Sequence, residues 1–162
     1  VGSVHRNAIE TIGRYDLAYD LLVRPVHLPA AIQLVDMFPD QRFVVDHIAK
    51  PDIAAPEIEP WKTLITELGR RPHVYCKLSG MATEAALTTW TAAQLYPYID
   101  VCLEAFGPDR LMVGSDWPVC TLAGSYSTIM SATLDYLRKL SDSERESVLF
   151  ASCRAAYRLS SR

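Results

Sequence analysis

Short apolar segments alternate along this chain with longer segments in which apolar residues recur every three or four positions. The short segments predict β-strands over residues 18–23, 43–46, 74–78 and 111–114. The longer segments predict amphipathic helices over residues 4–12, 28–38 and 61–69, and two more with apolar faces over residues 95–106 and 129–140. A last helix is predicted to begin at Ser141, because Ser141 and Glu144 form a capping box.

Regular alternation of strand and helix is typical of a parallel sheet with right-handed helical connections. The strand bodies, such as the run from Phe43 to Val45, are apolar on both faces, as strands covered on both sides are. Four such units form either a small doubly wound sheet or half of an eight-stranded barrel. No Gly-rich loop follows the first strand, and the chain enters its first helix directly from Val1, as a segment of a longer sequence would. We therefore predict one α/β domain over residues 1–162, built as half of a TIM barrel.

Composition narrows the class of protein. An apolar fraction of 49% and a charged fraction of 22% are ordinary for a soluble globular domain. The net charge of -3 without a basic stripe argues against nucleic-acid partners, and no apolar run approaches the roughly 20 residues of a membrane span. Four cysteines without CxxC spacing, Cys76, Cys102, Cys120 and Cys153, predict buried free thiols in a reducing compartment, which favours the cytoplasm.

Polar residues stand at the ends of three predicted strands. Asp116 follows the last strand, Asp46 and His47 end the second, and Lys77 and Ser79 lie at the end of the third. Ligands bind outside the carboxyl ends of parallel strands, so this pattern indicates a site there. The structural alternatives are a turn or capping role for the aspartate and a simple hydrogen-bonding role for the histidine.

The other histidines give weaker signals. We interpret His5, on the leading helix, and His73, at the remote end of a strand, as structural, and leave His27 in a turn undecided. The alternative chemistry for a site at His47 is that of a cysteine hydrolase with Cys120 as the nucleophile. It is disfavoured because no cysteine stands at a helix N-terminus beside an evident base.

Five runs of sequence together resemble the amidohydrolase-related family of predicted metal-dependent hydrolases with a barrel fold. They are YDLLVRP from Tyr19, HLPA from His27, FVVDHIAKP from Phe43, CKLSG from Cys76 and GSDWPVC from Gly114. The run from Leu122 is similar to the sugar-lactonase branch, the L-fuconolactonase- and L-rhamnonolactonase-like proteins. That family opens its barrel with a His-x-His pair, which this chain lacks, and the strands here resemble the fifth to eighth, that is, the C-terminal half. Cys153 stands where relatives often carry Asn or Thr.

The resemblance implies a hydrolase of sugar-derived lactones, with Asp116 as general base and His47 polarising the carbonyl. Both are implied ligands if a divalent metal such as zinc is bound, and a metal-independent reaction stays open. The implied substrate-binding residues are Arg24, Lys50, Lys77 and Trp117. For Trp117, a position in the hydrophobic core is an equally good interpretation.

The alternative is a non-catalytic fragment or half-barrel assembly module. We expect the chain alone to hydrolyse lactones poorly. We also expect a homo-oligomer formed through an exposed apolar concave face and two open sheet edges.

Overall fold

Four short parallel strands form the centre of the structure, a computed structural model that describes residues 2–55 and 57–160. The strands are β1 (Tyr19–Leu21), β2 (Phe43–Val45), β3 (Val74–Leu78) and β4 (Leu111–Val113), and they pair in chain order. Opposite Cα atoms in neighbouring strands are Tyr19 and Phe43, Phe43 and Val74, and Cys76 and Leu111. The predicted α/β class with four parallel strands is confirmed.

Helices precede the first strand, connect consecutive strands and follow the last strand. They are α1 (Ser3–Arg14), α2 (Leu28–Met37), α3 (Trp61–Gly69), α4 (Ala92–Phe106), α5 (Tyr126–Leu137), α6 (Asp142–Glu146) and α7 (Ser152–Tyr157), and a π-helical turn, Ser147–Ala151, joins the last two. Short 3-10 turns lie at Pro25–His27, Asp46–Ala49, Ala82–Glu84, Pro108–Arg110 and Val119–Leu122. Among the residues described, no helix is both long and apolar enough to cross a membrane.

Element boundaries follow the sequence pattern most closely where the pattern is uninterrupted. The bounds of α3 and β3 are those predicted. Strand β2 ends one residue earlier than predicted, at Val45, because Asp46 already begins a tight turn. The predicted capping box is confirmed: the Ser141 hydroxyl accepts a hydrogen bond from the Glu144 backbone N–H.

The outer face of the sheet carries the main hydrophobic core. Along β3, Val74, Cys76 and Leu78 are buried, and alternate residues lie on the opposite face. The outward-facing side chains pack against α2, α3 and α4, whose contributions include Val35 and Ile65, each fully buried. This layer fixes the strands and so places the loops that follow them.

The inner face differs from the expected exposed apolar surface. Val44 and Met112 lie on this face and are 0% and 2% exposed, because Ala156 of α7 packs against them. The Arg42 guanidinium, just before β2, donates a 2.8 Å hydrogen bond to the Ala156 carbonyl. The expectation that inner apolar residues face water is therefore wrong for these two. The last helix covers them.

Candidate active site

Three side chains meet beyond the carboxyl ends of β2, β3 and β4. They are His47, Ser79 and Asp116, each in the connection that follows its strand. His47 Nδ1 lies 2.8 Å from Ser79 Oγ, and His47 Nε2 lies 3.6 Å from Asp116 Oδ1. The hydrogen bond at Nδ1 orients the imidazole, so that its other nitrogen faces the carboxylate.

A left-handed turn carries His47. Residues 47–50 have φ values of 53°, 47°, 61° and 50° in succession, and none of them is glycine. For β-branched Ile48 such a φ is a steric outlier. Ile48 and Ala49 are fully buried, and the Ile48 carbonyl accepts a 2.7 Å hydrogen bond from the indole N–H of Trp61. Packing therefore holds a strained backbone here, and such strain clusters at functional sites.

Gly80 gives the His47 ring its space. A Cβ at this position would lie 2.8 Å from His47 Cβ and 2.9 Å from Cγ, and Gly80 itself has a φ of +65°. A side chain would therefore meet both a collision and backbone strain. The glycine that follows Ser79 lets the strand end approach the imidazole closely.

Asp116 also adopts a left-handed conformation, with a φ of 57°, which aspartate tolerates better than most residues. Its side chain is 10% exposed. Its backbone carbonyl accepts a 2.8 Å hydrogen bond from the Cys120 N–H, which closes the turn. Among the described residues, the buried Oδ2 atom has no hydrogen-bond partner. A buried carboxylate oxygen left unpaired is costly, so it marks a place where a further ligand fits.

A cationic cluster lies at the rim of the same end of the sheet. Lys50, the last residue of the left-handed turn, forms an ion pair with Glu84 Oε1, and Arg24 Nη1 lies 3.7 Å from Glu84 Oε2. The Glu84 side chain is only 13% exposed, whereas that of Arg24 is 63% exposed. Trp117, next to Asp116, is exposed rather than part of the core.

Lys77 lies on the inner face of β3, below this rim. Its Nζ lies 2.7 Å from Asp20 Oδ2 and 2.7 Å from Asp46 Oδ1. Burial of Lys77 disfavours its charge, but its hydrogen bond to Asp20 and its ion pair with Asp46 outweigh burial and raise the pKa of the ammonium above its usual value. Tyr157 of α7 adds a hydrogen bond to Asp20 and presents its ring to Lys77.

A family model described as amidohydrolase matches residues 2–159 of the chain. The chain belongs to the amidohydrolase family. It is 44% identical over 119 residues to an L-fucono-1,5-lactonase of Burkholderia ambifaria, covering 74% of this chain and 41% of that protein. A second L-fucono-1,5-lactonase, from Burkholderia multivorans, is 36% identical over 154 residues, covering 89% of this chain and 52% of that protein. The chain thus spans about half the length of the curated relatives that it matches.

A solved amidohydrolase has the same fold. The crystal structure of an amidohydrolase from Burkholderia multivorans with bound zinc superposes with a TM-score of 0.92 at 33% identity. The match covers 98% of this chain and 58% of the other. Because such amidohydrolases are TIM barrels, the half-barrel prediction and the family resemblance are confirmed.

The remaining histidines of this amidohydrolase chain make no described contact with His47 or Asp116. His73 precedes β3, and its Nε2 lies 3.2 Å from the Val35 carbonyl oxygen, while His5 on α1 stacks edge-on against Tyr19. His27 Nδ1 accepts a hydrogen bond from the Arg24 backbone N–H. The four cysteines are free, and the prediction that all four are buried is wrong for Cys153, which is only half-buried. Cys120 is 2% exposed, and the ring nitrogens of His47 face Ser79 and Asp116 instead.

Three residues of the site region are missing from the candidates drawn from the sequence. They are Glu84, Asp20 and Tyr157. Glu84 follows the Ser79-Gly80 strand end in a short turn, a position where an acidic residue could have been considered. Asp20 interrupts an apolar strand, which is a signal for a polar inner face. Nothing in the sequence pattern links Tyr157 to that face, because the two residues lie 137 positions apart.

The donors present fit a divalent metal ion in part. An imidazole nitrogen and a carboxylate with a free buried oxygen are donors that zinc accepts. Within the described residues, however, no group of three or more His, Cys, Asp or Glu side chains is arranged to hold a metal. This chain therefore offers two donors, His47 and Asp116, where a catalytic zinc usually has three protein ligands.

Proposed function

We propose that this chain supplies the Asp116 and His47 half of an active site that hydrolyses a sugar-derived lactone. The observation that carries the proposal is the buried Asp116 Oδ2, unpartnered among the described residues, in a carboxylate 3.6 Å from an oriented imidazole. The relatives named L-fucono-1,5-lactonase, which cover most of this chain, support a lactone as substrate.

Hydrolysis requires a base for the attacking water and a group that polarises the ester carbonyl. Asp116 acts as the base, because its Oδ2 is an unused acceptor that can take a proton. His47 is the polarising group, since the Ser79 contact at Nδ1 leaves Nε2 directed at the same place. With Nε2 protonated, the imidazole donates a hydrogen bond to the lactone carbonyl oxygen.

A divalent metal ion such as zinc, when bound, polarises a carbonyl and lowers the pKa of water. His47 Nε2 and Asp116 Oδ2 would hold it in this chain, and its remaining ligands would come from outside the described residues. The related amidohydrolase crystal structure has bound zinc, which supports a metal ion as such, while the hydrogen-bonding imidazole provides the metal-independent alternative.

The rim residues contact the sugar part of the substrate in this proposal. Arg24 is the most accessible cation of the rim, and Lys50 is held beside it by Glu84. Exposed Trp117 offers an apolar face next to Asp116. Lys77 is already bound to two carboxylates, so we assign it to the support of the site rather than to the substrate.

The setting of the protein is also a proposal. Three of the four free cysteines are buried, which suits the reducing cytoplasm. Strands β1 and β4 each pair with one described strand, so self-association through these edges stays a prediction.

A chimera tests the activity. This chain would replace the corresponding segment of the Burkholderia multivorans L-fucono-1,5-lactonase, and hydrolysis of L-fucono-1,5-lactone would be followed by steady-state kinetics. We expect a folded chimera with activity, and a loss of kcat on the order of 10²–10⁴-fold in its Asp116→Asn variant. The matched control is Asp142→Asn, whose side chain is 95% exposed and which should keep full activity. A folded but inactive chimera would favour the assembly-module alternative, and full activity of Asp116→Asn would remove Asp116 as the base.

A further inference from the structure

Four polar side chains form one connected network on the inner face of the sheet. The Tyr157 hydroxyl donates to the Asp20 carboxylate, whose two oxygens lie 2.8 and 2.9 Å away. Asp20 binds Lys77, and Lys77 binds Asp46, with both contacts at 2.7 Å. We call these residues the inner network.

The inner network joins the last helix to the catalytic turn. Tyr157 is the last residue of α7, and Asp46 immediately precedes His47 at the start of the left-handed turn. That turn has a strained backbone, so it depends on contacts that fix both of its ends. At the far end, Lys50 binds Glu84, and at the near end, Asp46 binds Lys77.

The charges of the inner network show why the Tyr157 hydroxyl matters. One ammonium group faces two carboxylates, so Asp20 and Asp46 compete for Lys77. The hydroxyl gives Asp20 a second donor, which balances its pull on Lys77. Without that donor, Lys77 moves toward Asp20, and its contact with Asp46 weakens.

We infer that Tyr157 and Lys77 are positioning residues that, through Asp20 and Asp46, hold the turn where the His47 imidazole meets Asp116. The catalytic importance of this positioning rests on the proposed function. The positioning itself is a property of the folded chain and can be measured without turnover. A failure of the lactonase assay would therefore be distinguishable from a failure of this inference.

The test is nuclear magnetic resonance of the chain labelled with ¹⁵N at histidine. His47 is observed against His73, which contacts the Val35 carbonyl and Phe43 outside the inner network and serves as the internal reference, because His5 and His27 line the same cavity as Asp20. Tyr157→Phe keeps the ring over Lys77 and removes only the hydroxyl. We expect it to shift the imidazole resonances of His47 and to leave those of His73 in place. Lys77→Met should shift His47 further.

Tyr75→Phe is the matched control. Tyr75 lies on the same face and packs in the same small apolar cluster, and its hydroxyl forms no hydrogen bond to any residue that the structure describes. We expect no change at His47 in this variant. The inference is overturned if the His47 resonances of Tyr157→Phe match those of Tyr75→Phe, even if Tyr157→Phe has a lowered melting temperature. It is equally overturned if Lys77→Met leaves His47 unmoved, or if either network variant shifts His47 and His73 alike.

Discussion

Replacing Gly80 with alanine places a methyl group against the imidazole of His47. The new Cβ would lie 2.8 Å from His47 Cβ, whereas ordinary contact begins near 3.4 Å. The φ of +65° adds a backbone cost of about 1–2 kcal/mol for a residue with a Cβ. If the ring moves aside, its 2.8 Å contact with buried Ser79 is lost, at a further cost of about 1–3 kcal/mol. We expect Gly80→Ala to lower the free energy of unfolding by about 2–5 kcal/mol in total.

Urea denaturation measures that free energy, and the ¹⁵N resonances of His47 report the ring position. Gly107→Ala is the control, since Gly107 has a φ of +67° but a Cβ there would have nothing within 4 Å. We expect both variants to lose stability and only Gly80→Ala to move the His47 signals. If Gly80→Ala leaves those signals unchanged, the close approach of Gly80 does not set the ring position, and our account of the site is wrong.

Two further changes test the support of the turn and the charges at the surface. Trp61→Phe removes the hydrogen-bond donor to the buried Ile48 carbonyl. Urea denaturation should show a free energy of unfolding lower by about 1–3 kcal/mol, and an unchanged value would show that water replaces the indole. Hydrogen bonds from Arg71 lower the pKa of Asp36 from 3.8 and the pKa of Glu67 from 4.5, so both ionised carboxylates stabilise the fold above those values, and the stabilisation is lost as pH falls through the lower folded values. The stability deficit of Arg71→Met should therefore shrink below about pH 4 in acid titrations followed by circular dichroism, and a deficit independent of pH would contradict both pairings.

The sequence predicts the proximity of His47 and Asp116 because simple rules apply to both. Each follows an apolar strand, and the carboxyl ends of parallel strands share one edge of the sheet. The strand order was not needed in detail, since β2, β3 and β4 are neighbours in the chain and in the sheet. The strands and helices themselves are predicted well because each has a regular pattern of apolar residues.

The left-handed turn could not be predicted, because local preferences oppose it. Ile48 and Ala49 disfavour positive φ, and only tertiary packing, including the Trp61 hydrogen bond, keeps them there. The inner network was missed for a different reason. Tyr157 and Asp20 lie far apart in sequence, and no pattern in a single chain indicates which distant tyrosine meets which aspartate.

The position of Tyr157 at the end of the last helix bears on the order in which the site forms during synthesis. The contacts among His47, Ser79 and Asp116 join neighbouring strands and can form while the chain is still being extended. The contact between Tyr157 and Asp20 spans 137 positions and must wait until α7 has left the ribosome. A nascent chain would thus hold these three side chains near one another before α7 docks. The final alignment of His47 would then coincide with the docking of α7 against the sheet.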